Sequence, residues 1–165
     1  MNAEAMAGMM SSATPEWATP RALFDALDAE FRFTIDACAV PENAKCRLFY
    51  SPEDDGLSQP WHGRVWCNPP YGRGIGAWIK KAWGSAQAGA TVVLLIPSRT
   101  DTAWWHDYCA RGEVRFLRGR VKFERTYGGK SESAPFPSAI VVFRPDPLHM
   151  SGIELIKTFG PIPNP

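Results

Sequence analysis

Asn68-Pro69-Pro70-Tyr71 is the stretch of this 165-residue chain whose residue types and spacing could do chemistry. It follows the apolar run VWC, which reads as a strand, and in open α/β sheets ligands bind just beyond the carboxyl ends of strands. Two successive prolines remove N–H groups and fix φ, so the carbonyls beside them are held rigid and unpaired, pointing out of the sheet. With the Asn68 side-chain oxygen, such a carbonyl makes two acceptors facing one point. That arrangement suits an exocyclic NH₂ group held by both hydrogens, with the Tyr71 ring against the planar ring that bears it. An aromatic amine such as adenine N6 is a poor nucleophile because its lone pair is delocalised into the ring. Accepting both N–H bonds draws the nitrogen toward tetrahedral geometry and aims the lone pair at an electrophile. Attack on a methyl sulfonium then needs positioning and charge stabilisation more than a strong base.

The elements that must hold this motif follow from periodicity and punctuation. Thr19 and Pro20 read as N-cap and first residue of a helix whose apolar residues Leu23, Phe24, Leu27 and Phe31 fall on one face. FRFTIDACA reads as a short strand ending at Asp36, and 41–60, rich in Pro, Asn, Asp, Ser and Gly, as mostly loop. The strand Arg64 to Cys67 precedes the motif, and a helix from about Ile75 to Ala88 follows, with Ile75, Trp78, Ile79 and Trp83 nearly on one face. ATVVLLIP, apolar almost throughout, predicts a parallel strand covered on both faces. A helix from Thr102 to about Ala110, the strand GEVRFLRG, a basic Gly-rich loop and the strand SAIVVFRP complete the pattern. The alternation describes an α/β fold with a mostly parallel sheet and an antiparallel hairpin at one edge.

At 165 residues, one domain and one core are expected. Residues 1–13 read as a flexible tail, 14–145 as the domain and 146–165 as mostly irregular. With 45% hydrophobic and 21% charged residues, the composition excludes a disordered chain or a disulfide miniprotein. The start has no basic residue ahead of an apolar core, and no apolar run reaches the roughly 18 residues of a membrane span. A cytoplasmic protein without membrane partners is the expectation. Cys38, Cys46, Cys67 and Cys109 lack the close spacing of zinc or redox pairs, and His62, His106 and His149 stand alone, so no metal is expected. Cys67 precedes Asn68 rather than following a proline, and receives no nucleophilic role. Most of the seven tryptophans suit the core.

Charge is uneven. Residues 1–60 carry 4 basic and 10 acidic side chains, net −6, and residues 111–130 carry 7 and 2, net +5. The first suits a cationic ligand, the second a polyanion.

EWATP, IDACA, NAKC followed by FYSPEDDGL, VWCNPPYG, LLIPSRTDTAWW, FLRGRVKF and APFPSAIVVF together make the chain resemble the phage-type, Dam-like DNA N6-adenine methyltransferases, over Glu16 to Arg144. The resemblance implies a reduced, single-domain Rossmann-like fold and the cofactor S-adenosylmethionine, whose sulfonium and ammonium suit the acidic first part. It places Trp17, Thr19 and Pro20 against the methionine portion and Asp36 near the amino group. Ala37 and Cys38 would make backbone contacts, in IDACA rather than the usual glycine-rich loop, and Asp54 or Asp55 would reach the ribose or adenine. Asn68, Pro69, Pro70 and Tyr71 would hold the target. Arg99, Arg118, Arg120 and Lys122 would face DNA phosphates, with the adenine flipped out onto Tyr71. Without a separate recognition domain, Gly119 to Pro137 and the loop after Pro97 would read the site. NPPY would equally hold cytosine N4, guanine N2 in RNA or a protein glutamine amide, and a catalytically idle DNA-binding module is the reading from another class.

Overall fold

Six strands form the main sheet, and the most apolar of them takes its centre. The computed structural model describes residues 18–125 and 130–145. β1 (Ile35–Asp36), β2 (Leu48–Phe49), β3 (Arg64–Cys67), β4 (Thr91–Pro97), β5 (Glu113–Phe116) and β8 (Ser138–Phe143) are ordered β2-β1-β3-β4-β8-β5. β1 to β4 pair in parallel, while β8 runs antiparallel between β4 and β5. Five of the six strands therefore point one way, and the carboxyl ends of β1, β3 and β4 share one edge of the sheet.

The antiparallel edge is present, with a refinement. β8 is buried along its whole length and takes an interior position, while β5, whose exposure alternates, becomes the edge. A small second sheet, β6 (Lys122–Phe123) with β7 (Glu132–Ser133), lies between them in sequence, where a loop is expected from composition. β2 also lies in a stretch whose composition is that of a loop. Each is two residues long, too short for alternation to show.

α1 (Arg21–Phe31) buries the expected Leu23, Phe24, Leu27 and Phe31. Its start differs from expectation, because Pro20 is the N-cap and Thr19 does not cap the helix. The Arg21 N–H instead donates to Glu124 Oε1 at 2.8 Å, and Ala18 and Glu124 exchange backbone hydrogen bonds at 2.9 and 3.0 Å. α2 (Ile75–Gln87) buries Ile75, Ile79, Ala82 and Ala86, the 3.6-residue repeat, which leaves Trp78 and Trp83 on the flanks against Trp61 and Tyr108. α3 (Ala103–Asp107) is shorter than expected, giving way to a 3₁₀ turn at Cys109–Arg111.

The basic stretch 111–130 is divided by the fold. Arg115 is buried on β5, forking onto Glu30 of α1 with two bonds of 2.6 Å and onto Glu113 at 2.6 Å. Arg144 reaches Glu113 at 3.0 Å, and both guanidiniums lie over the Phe31 ring. Arg125 pairs with Glu132, and Arg111 lies over Trp83. Arg118, Arg120 and Lys122 remain exposed, with no carboxylate partner among the described residues.

Candidate active site

The shared carboxyl edge of β1, β3 and β4 brings together residues that are far apart in the chain. Asp36 ends β1 and pairs in register with Trp66 of β3; Cys67 ends β3 and pairs with Leu94 of β4. Asn68 therefore sits in the middle, with the β1 loop on one side and the β4 loop on the other.

Asn68 is fully buried, and its carboxamide is held at both ends. Its Nδ2–H donates to Thr19 Oγ1 at 3.3 Å, and its Oδ1 accepts from the Tyr71 hydroxyl at 2.6 Å. The Leu95 carbonyl, 3.2 Å away, is a second acceptor for that hydroxyl. Burial pushes the Tyr71 phenol well above its ordinary value, so it remains a donor. Tyr71 itself is buried, its ring edge-on to Phe123 and Phe136 at 5.5–6.3 Å. The stacking face that the sequence assigned to Tyr71 is thus turned inward in this state. Phe123 is the missed neighbour, and the alternation of Val121 and Phe123 inward with Lys122 outward was the signal for it.

Asp36 is buried, and its carboxylate collects the loop that follows β1. Oδ1 accepts from the Cys38 N–H at 3.3 Å and Oδ2 from the Lys45 N–H at 3.0 Å. Burial pushes its pKa up to about 7, against the two N–H donors and the Lys45 charge, which favour the ionised form. Ala37 and Cys38 are buried beside it, the Ala37 N–H donating to Trp66 at 2.9 Å.

The 54–56 turn comes to the same place through a close backbone approach. A Cβ on Gly56 would lie 2.3 Å from the Ala37 carbonyl oxygen, so only glycine fits. Asp54 is spent locally, accepting from the Ser51 N–H and hydroxyl at 2.8 and 2.9 Å, bonds that lower its pKa. Asp55, in the left-handed region at φ 53°, has no side-chain partner among the described residues. Between the two candidates, the free carboxylate is that of Asp55.

Thr19 and Pro20 reach the site through the Ala18–Glu124 bridge, while Trp17 lies outside the described residues. Arg99 joins Tyr71 in lining a cavity of about 180 Å³ beyond β4, together with Arg73 and Trp104, neither of which carries a local signal of such a role. Arg118, Arg120 and Lys122 lie on the segment leading to and including β6, whose Phe123 touches Tyr71. Burial holds the Cys67 thiol well above its ordinary value and pushes Cys46 and Cys109 to about 12, so none presents a thiolate. Among the described residues no cluster of metal-ligating side chains forms, and no helix is long and apolar enough to cross a membrane.

Comparison with known proteins gives the family. The chain is 31% identical over 136 residues to a DNA N-6-adenine-methyltransferase of Haemophilus phage HP1, covering 78% of each chain. It is 35% identical over 92 residues to the DNA N-6-adenine-methyltransferase of Escherichia phage T1, covering 54% of this chain and 38% of that one. A family profile described as DNA N-6-adenine-methyltransferase (Dam) matches residues 8–155, most of the chain, which therefore belongs to that family.

Proposed function

We propose that this protein methylates the N6 amino group of adenine in DNA with S-adenosylmethionine as donor, in the cytoplasm where its substrate lies. The observation that carries the reading is the buried Asn68 carboxamide, oriented by Thr19 so that its oxygen faces the Tyr71 hydroxyl at a strand end. That oxygen is one of the two acceptors an exocyclic amine needs, and a carbonyl of the Pro69-Pro70 pair supplies the other. The Tyr71 hydroxyl holds this acceptor until the amine replaces it. The Tyr71 ring then turns out of its pocket and lies against the flipped adenine.

The donor set on the β1 side fits the cofactor: a buried carboxylate at Asp36 for an ammonium, and an unpaired carboxylate at Asp55 for ribose hydroxyls. Ala37 and Cys38 contribute backbone there, and Trp17, Thr19 and Pro20 close the methionine end. When bound, S-adenosylmethionine supplies an electrophilic methyl group. Asn68 orients the nucleophile toward it, and its burial excludes water from the reacting nitrogen. Arg99, Arg118, Arg120 and Lys122 hold the DNA backbone. The decisive experiment incubates the protein with labelled cofactor and unmethylated DNA and analyses the nucleosides. Label in N6-methyladenine is expected; label in N4-methylcytosine, RNA guanine or protein glutamine would transfer the clamp to another amine, and no label anywhere would leave an idle module.

Asp36 should make cofactor binding depend on pH. Its pKa in the folded protein lies above the unfolded value, so its contribution to stability is full below about pH 4 and is lost as pH rises through about 7. An ammonium partner favours the ionised form, so affinity should rise from pH 6 to about 7.5. It should fall again as the cofactor's α-amino group loses its proton near pH 8. Asp36→Asn should flatten the rising limb and weaken binding by roughly 10- to 100-fold, the value of a charge-assisted hydrogen bond. Calorimetric titration across this range checks it; an unchanged profile would remove Asp36 from the site.

Neutralising Arg118, Arg120 and Lys122 together should weaken DNA binding and flatten its salt dependence, by about 0.9 in log–log slope for each phosphate no longer neutralised. Equal slopes for wild type and the triple variant would make the segment a solvated face.

A further inference from the structure

The cavity beyond β4 is distinct from the cofactor side of the site. Asp36, Ala37, Cys38 and Asp55 gather beyond β1, whereas Arg73, Pro97, Arg99, Thr102 and Trp104 gather beyond β4, with Asn68 just past the end of the intervening β3. Adjacent strands lie about 4.8 Å apart, which puts roughly 10 Å between the two sides. Tyr71 forms a wall of the cavity, which places the cavity beside the proposed amine clamp.

Its lining has the chemistry of a nucleotide site. Arg73 is exposed and Arg99 half-exposed, and neither guanidinium has an acidic partner among the described residues. Two guanidiniums without a carboxylate partner converge on this one cavity, an arrangement that suits an external anion. Trp104 is half-buried, leaning on Gly76 of α2, and contributes an aromatic wall. Gly72 and Gly74 have open space where a Cβ would stand, so nothing blocks the approach past Arg73. About 180 Å³ is below the roughly 300–1,000 Å³ of a pocket for a whole drug-sized ligand, but it accommodates a single base.

We propose that this cavity is the subsite for the nucleotide next to the target adenine, its phosphate held by Arg73 and Arg99 and its base stacked on Trp104. The proposal rests on the adenine-methylation reading and deepens it. A base stacked there has left its neighbours in the duplex, so the site engages two successive unstacked nucleotides.

The test uses single-stranded oligonucleotides with one adenine, intact or with an abasic residue on either side of it, and reads both methylation kinetics and binding by fluorescence anisotropy. Trp104→Ala should raise the KM for DNA by roughly 5- to 100-fold, the range of one lost base stack, and leave the KM for S-adenosylmethionine at its wild-type value. In the wild type, an abasic residue on one flank should cause the same loss, and in Trp104→Ala it should cause no further loss. Trp104→Phe should fall between, and serves if the alanine variant does not fold. Arg73→Gln and Arg99→Gln, at more accessible positions, should flatten the salt dependence of binding, by about 0.7 in slope per phosphate on a single strand. Additive losses from the abasic residue and Trp104→Ala, or unchanged slopes for both arginine variants, would overturn the subsite. Absence of methyl transfer by the wild type would instead overturn the adenine reading, and the anisotropy data would still decide the cavity's occupant.

Discussion

Asn68→Ala is expected to lower turnover by roughly 100-fold or more while S-adenosylmethionine and DNA still bind. The proposed bond from the amine to Asn68 Oδ1 strengthens as nitrogen becomes tetrahedral, so its loss falls on the transition state rather than on binding. The fold should tolerate the change, because the Tyr71 hydroxyl keeps the Leu95 carbonyl 3.2 Å away as an acceptor. Single-turnover methylation of an adenine-containing oligonucleotide measures the effect, and a near-wild-type rate would refute the amine clamp. Tyr71 separates the ring from the hydroxyl. Tyr71→Ala should both weaken capture of the base, by roughly 1–3 kcal/mol, and slow the reaction. Tyr71→Phe should retain much of the activity, since the ring stacks and the hydroxyl only occupies the Asn68 acceptor before the amine arrives. A Tyr71→Phe variant as impaired as Tyr71→Ala would give the hydroxyl a role in the reaction itself.

Arg115→Met should destabilise the protein by about 3–5 kcal/mol, the usual consequence of removing one partner from a buried ion pair. Glu113, nearly buried, would keep only Arg144, which is far more exposed. Burial by itself raises the Glu113 pKa; the hydrogen bonds from Arg115 and Arg144 outweigh it and hold the group below its ordinary value. The network's contribution is therefore present above about pH 4.3 and is lost as pH falls through the lower folded-state value. The deficit of Arg115→Met should accordingly be largest at pH 7 and shrink in acid. Urea unfolding at pH 7 and pH 4 would show it, and Glu113→Gln in the same background should recover part of the loss. Equal stability at pH 7 would mean the network contributes nothing. The salt dependence of DNA binding should not change in Arg115→Met, because this arginine faces α1 and not the basic surface.

Much of the candidate site was legible in the chain because its signals are local. Proline chemistry marks the strand end at Asn68, unbroken apolarity marks β4, and helical spacing marks the buried face of α1. The carboxylate of Asp36 at a strand end needs only its neighbours to be recognised. Tertiary structure decided what local signals do not carry. Thr19 and Asn68 meet across 49 residues, and Arg115 and Glu30 across 85. A threonine before a proline has the chemistry of a helix cap whether or not Glu124 arrives from a distant part of the chain to do that work. An arginine is equally cationic whether an acid buries it or DNA awaits it, so the division of the basic stretch between core and surface followed only once β8 displaced β5 to the edge. Likewise the ring of Tyr71 was certain from its identity, while the direction it faces was set by Phe123, Phe136 and the carboxamide it closes upon.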